Sequence, residues 1–120
     1  MISIDRFSEI LDTLAQELPI EFYDELNLGI SVSMEEKLHP QALARDLFIM
    51  GEYFSNQMGR GIMIYYGSFC RVHGRLEEAA LTRELRSVLR HEFRHSMEHR
   101  AGERGLEIED KRNLREYLDK

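Results

Sequence analysis

The spacing of apolar residues changes period twice along this chain, and that leaves few folds open to it. Ile4, Phe7, Ile10, Leu11, Leu14 and Leu18 recur as one face of a helix. Ser3 stands where an N-cap belongs, and Pro19 ends this helix or opens the next element. PIEFYDELN reads as a short helix with Phe22, Tyr23 and Leu26 on one side. In the centre the period falls to two. Ile30, Val32 and Met34 alternate through GISVSM, the pattern of a half-buried strand. KLHPQALARD reads as a loop around Pro40. DLFIMGEYF and GIMIYYGSFCRV are apolar, β-branched and aromatic, with the polar turn SNQMGRG between them. A β-hairpin is expected there, with Gly74 closing the strand region. From Glu77 the helical period returns, and Leu81, Leu85, Val88, Leu89 and Glu92 share a side. Gly102 and Gly105 are expected to break this helix, and LEIEDKRNLREYL to form a last short one. Segregated strands in such an order predict a single α+β domain over 1–120. Its small sheet, including the hairpin, would pack on the long helix, with further helices at the N- and C-terminal ends.

A chain of 120 residues has room for one modest core. Apolar residues make up 42% and charged residues 32%, the balance of an ordinary globular protein. The net charge of -6 supplies no basic field for nucleic acid. No apolar run approaches the roughly 18 to 20 residues of a membrane helix. The opening MISIDRFSEILDTL carries acids and helical spacing where a signal peptide would be basic and then apolar. Neither nucleic acid nor membrane is therefore an expected partner, and the expected compartment is the cytoplasm. The one cysteine, Cys70, sits in a strand-like run and reads as a buried, inert thiol. RLEEAALTRELR reads as a solvated helix face.

The long helix carries HEFRH, an H-E-x-x-H motif. Residues four apart project from nearly one face, so His91 and His95 can aim two imidazoles at one cation. Zinc accepts imidazole nitrogen readily and prefers few, tetrahedrally placed ligands. Glu92 is rotated about 100° from His91 and about 60° past His95, poorly placed as a ligand. It can still reach a water on the ion and act as its general base, which suits hydrolysis of an amide. The row from Leu81, Leu85 and Val88 runs on into Glu92, His95 and His99, as when a helix leaves the core to floor a cleft. The competing reading is a solvated face with ordinary polar histidines. A third ligand is less defined. Glu98 lies seven residues past His91, about 10 Å along the axis, and His99 lies further. A break at AGERG could return Glu103 to the ion, so Glu103 ranks first, ahead of Glu98, Glu107 and Asp110. Glu103 could equally be an exposed acid paired with Arg100 or Arg104, and solvent could complete a two-histidine site.

These residues, together with FSEILDTLAQELPIEFYDELN, KLHP, LFIMGEY, IMIYYGSFCRVHG and LRHEFRHSMEHRAGERGLEIED, make nearly the whole chain resemble a known group. It is similar to the small bacterial metallopeptidase family with a minimal zincin-like fold. That resemblance implies a compact domain in which the helix bearing both histidines packs below a small sheet. It implies zinc on His91 and His95, Glu92 as general base, and hydrolytic capability without naming a natural substrate; a short peptide or unfolded protein segment is the substrate expected of so small a peptidase domain. Arg94 and Ser96 depart from it, standing where a smaller residue and often a further histidine are expected. Glu98 and Ala101 occupy the positions of the glycine and last histidine in the longer H-E-x-x-H-x-x-G-x-x-H pattern.

His39 and His73 read as surface histidines, although His39 could reach the cleft. Tyr65 and Tyr66 should face opposite sides of a strand, and one could donate to an oxyanion if it faced the cleft. A sheet edge formed by LFIMGEY or IMIYYG could take an extended peptide by strand addition. The alternatives to a peptidase are a metal-binding or interaction module with little catalysis, and a structural protein whose histidines bind nothing. Glu92 favours chemistry, because a binding module needs no base between its ligands.

Overall fold

The computed structural model describes residues 1–24, 26–41 and 47–104, without the side chains of Arg100, Glu103 and Arg104. Helix α1, Ile4–Ala15, starts as its sequence requires. The Ser3 hydroxyl accepts the Arg6 N–H at 3.1 Å, a cap worth about 1 kcal/mol. Phe7, Ile10, Leu11 and Leu14 form its buried face. After Pro19 a single 3₁₀ turn, Ile20–Tyr23, replaces the expected short helix and buries Phe22.

Three strands follow: β1 Gly29–Ser33, β2 Gly51–Asn56 and β3 Gly59–Tyr65. β2 and β3 make the expected antiparallel hairpin, while β1 pairs with β3 in parallel, giving the order β1-β3-β2. Asn27 pins the hairpin turn, its amide donating to the Met58 carbonyl at 3.0 Å and accepting the Arg60 N–H at 2.9 Å. The segment before β2 is joined to residues 37–39. Ile49 N–H donates to the Lys37 carbonyl and His39 N–H to the Leu47 carbonyl, both at 2.8 Å.

The strand expected through GSFCRV stops at Tyr65. Tyr66–His73 is helix α2. Two contacts override the strand-like composition. A Cβ on Gly67 would lie 2.4 Å from the Met34 carbonyl oxygen, so only glycine lets the chain turn against that backbone. Phe69 is fully buried, edge-on to Phe7 at 5.3 Å. Cys70 thus lies on a helix and is half-buried.

Helix α3 runs Glu78–Arg104. The break expected at Gly102 does not occur. The described glycines with positive φ are Gly29 and Gly59, so Gly102 stays in the helical region. One glycine inside a helix costs only about 1 kcal/mol. The last helix expected, over residues 106–118, lies outside the described residues. Leu81, Leu85, Leu89, Phe93 and Met97 of α3 are buried. Each step of four residues turns the stripe by about 40°. Beside that stripe Val88 comes up against Gly51 of β2, and further along Phe93 meets Tyr23 of the 3₁₀ turn edge-on at 5.0 Å. Two surface ion pairs, Arg86–Glu17 at 3.0 Å and Arg6–Glu78, join α3 to α1. The charged face at the start of α3 is therefore partly engaged with its neighbour.

Gly51 sets how closely α3 approaches β2. A Cβ there would stand 3.0 Å from both Val88 Cγ1 and Ile64 Cδ1, and 3.2 Å from the Met63 carbonyl oxygen. Gly51→Val should push helix and strand apart and lower the unfolding free energy by about 1–3 kcal/mol. Urea denaturation checks this, and an unchanged midpoint would contradict the packing described.

Candidate metal centre

Phe93 fixes the rotation of α3 at the motif. With Phe93 in the core, His91 and His95 lie about 160° from it on either side, so both point away from the core. Both are exposed. Their Nε2 atoms face each other at 2.8 Å. Two nitrogens held on one tetrahedral ion at about 2.0–2.1 Å would sit roughly 3.3 Å apart. A small opening of the pair would thus admit a zinc ion, and the donor set suits it.

Glu92 turns the other way, toward β2, and is only 8% exposed. A carboxylate at such depth needs a partner, and β2 supplies one. Tyr53 N–H donates to Glu92 Oε1 at 2.9 Å. Ligand atoms of His91, Glu92 and His95 all lie within 4.8 Å of one another. Burial raises the pKa of Glu92; the Tyr53 N–H and His95 oppose this, and Glu52 adds to it. Burial lowers the pKa of His91, helped by His95 and Arg94 and opposed by Glu98. Arg94 is half-buried, and its charge bears on His91. A lowered pKa keeps an imidazole neutral, the form that binds metal.

The other candidates fall elsewhere. Glu98 acts on His91 through its charge but does not join the compact group of three. The His99 ring packs against Tyr53 at 5.4 Å. The case for Glu103 rests on a turn at Gly102 that would bring it back. The helix continues instead, placing its backbone twelve positions past His91, about 18 Å along the axis. The geometric reason for choosing Glu103 is thereby removed; its side chain, like Glu107 and Asp110, lies outside the described residues. The hydroxyls of Tyr65 and Tyr66, one of which could have faced a cleft, are both engaged elsewhere. Tyr65 OH donates to Glu52, and Tyr66 OH to the Ile2 carbonyl. His73 lies beside Phe69 and 3.9 Å from Glu84. His39, by contrast, lines a cavity of about 330 Å³ with Phe48, Ile49, Met50, Gly51, Val88, His91 and Glu92 among its walls. Its loop setting suggests a surface histidine; the bridge between residues 37–39 and 47–49 brings it to the site instead.

A conserved hypothetical protein from Thermo thermophilus has a similar structure. The two align with a TM-score of 0.74 at 30% identity, covering 84% of this chain and 99% of that one. This chain belongs to the same family as that protein. The likeness establishes the α+β fold and assigns no chemistry to it. No protein-family model matches the chain, and no curated protein matches it. Among the described residues, no helix is long and apolar enough to cross a membrane.

The burial of Glu92 has a consequence for stability. Its folded pKa lies above its unfolded value, so the folded chain holds the proton more tightly. Stability of the metal-free chain should therefore fall as pH rises from the ordinary carboxylate range through the raised value. Glu92→Gln keeps an acceptor for Tyr53 N–H and removes the buried charge. Metal-free E92Q should be more stable than wild type at neutral pH, with the difference shrinking toward about pH 4. Urea titrations in chelator at both pH values read it, and a less stable E92Q at neutral pH would contradict the assignment.

Proposed function

We propose that this chain is a zinc-dependent metallopeptidase with a minimal zincin-like fold, acting on peptides or unfolded protein segments. The observation that carries this reading is the convergence of His91, Glu92 and His95 within 4.8 Å beside an open cavity. The division of labour among them supports it. His91 and His95 would hold the ion through Nε2, and solvent or a carboxylate would complete the set. When bound, zinc would lower the pKa of a water and polarise a carbonyl. Glu92 is suited to the proton work. Its Oε1 is engaged by the Tyr53 N–H, which leaves Oε2 to accept a proton from the attacking water. A carboxyl with a raised pKa can also return that proton to the leaving amine. The peptide would lie between α3 and the strand segment around 48–51, where backbone and apolar side chains line the cavity. An extended chain fits such a wall better than a folded one does. A cytoplasmic setting fits the single cysteine.

Purified wild type should take up one equivalent of zinc, and His91→Ala and His95→Ala should not, as read by metal analysis after dialysis. E92Q should keep its zinc and lose hydrolysis of an unstructured protein. Absence of zinc uptake by wild type would sink the site, and unchanged turnover in E92Q would sink the role of Glu92. A zinc-binding wild type with no hydrolysis would favour a metal-binding module.

A further inference from the structure

His39 shares the cavity of His91 and Glu92, yet it does not belong to their ligand group. Its backbone is held in place from two sides. His39 N–H donates to the Leu47 carbonyl at 2.8 Å, and two residues earlier Lys37 N–H donates to the Ser68 hydroxyl at 2.9 Å. The imidazole is also oriented. The Gln41 N–H donates to His39 Nδ1 at 3.0 Å. A backbone N–H can only donate, so Nδ1 carries no proton in this arrangement, and the ring proton sits on Nε2. Nε2 is therefore a hydrogen-bond donor. To ligate a metal through Nε2, the proton would have to move to Nδ1, where it would meet the Gln41 N–H head on. The choice of tautomer separates His39 from His91 and His95, which face each other through Nε2 with no backbone donor fixed on Nδ1 among the described bonds.

We propose that His39 is a catalytic hydrogen-bond donor, its Nε2–H directed to the carbonyl oxygen of a peptide bound in the cavity. This rests on the metallopeptidase reading above. As water adds to the carbonyl carbon, the C=O π pair moves onto oxygen, and the donor meets a growing negative charge. The proton remains on Nε2 throughout; the water proton goes to Glu92 and from there to nitrogen as the oxygen pair re-forms C=O and the C–N bond breaks, leaving a carboxylate and an amine. Phe48, Ile49, Met50 and Val88 line the same space. Their apolar surface strengthens a hydrogen bond to charge relative to one in water. They also suit an apolar side chain next to the cleaved bond.

The test reads the imidazole nitrogens by ¹⁵N NMR and the kinetics of two variants. In metal-free wild type, His39 should show a protonated Nε2 and a bare Nδ1. Zinc should shift the His91 and His95 nitrogens to metal-bound values and leave His39 in its tautomer. His39→Ala should retain one equivalent of zinc, lose about 100-fold in kcat on an unstructured protein, and change KM much less. Its affinity for a phosphinic peptide, which carries the charged oxygens of the tetrahedral state, should fall about 10-fold or more. His39→Gln, whose side-chain amide can donate, should recover part of both losses. A protonated Nδ1, a metal-shifted Nε2, or loss of zinc from His39→Ala would overturn the donor role. Wild-type turnover that His39→Ala leaves untouched would overturn it while sparing the metallopeptidase reading. A zinc-loaded wild type that neither binds the phosphinic peptide nor cleaves protein would overturn both.

Discussion

Glu92 and Phe93 are neighbours in sequence and face different layers of the fold. Phe93 is fully buried against the 3₁₀ turn, while Glu92 reaches the edge of the sheet and accepts the Tyr53 N–H. A buried carboxylate without that bond would carry a penalty of several kcal/mol or take up a proton. The two contacts together fix both the rotation of α3 and its distance from β2. Everything at the site follows from that rotation. His91 and His95 are left on the side away from Phe93, four residues apart and in mutual contact. Gly51 permits the approach, because a side chain there would strike Val88 and Ile64.

Two histidines and one carboxylate meet here, and the neighbours His91 and Glu92 are shifted in opposite directions. The histidines stay exposed, with His91 shifted toward the neutral form that a cation requires. The glutamate is desolvated and shifted toward holding a proton. Such opposed shifts in adjacent groups are a frequent mark of functional sites. The cost falls on the metal-free chain, which keeps a carboxylate in a poorly solvated place.

Much of this is legible in the residues. Ser3, the spacing of Ile4 to Leu14, the hairpin around SNQMGRG and the stripe beginning at Leu81 all announce their elements through local rules. What escapes a reading of the residues is set by contacts distant in sequence. The parallel pairing of β1 with β3 leaves no local signature. YGSFCRVH looks like a strand by composition, although Tyr66, Phe69, Cys70 and His73 have helical spacing that could have revealed α2. Gly102 looks like a stop, but a glycine is tolerated inside a helix at a cost of about 1 kcal/mol, and the chain stays helical through it. His39 sits in a polar loop by sequence, and only the bridge to residues 47–49 carries it into the cavity. The motif residues His91, Glu92 and His95 are the easiest to find, since a continuous helix alone brings them together. The third ligand is the hardest, since it depends on where the chain goes afterwards.

In the proposed centre His91 and His95 jointly hold one zinc ion while Glu92 remains off the metal. X-ray absorption at the zinc edge of the purified, zinc-loaded protein tests it most directly. Two imidazoles at about 2.0–2.1 Å in a four-coordinate shell are expected, with the same spectrum from E92Q. A shell without imidazole scattering, or one that loses an oxygen ligand when Glu92 becomes glutamine, would contradict it.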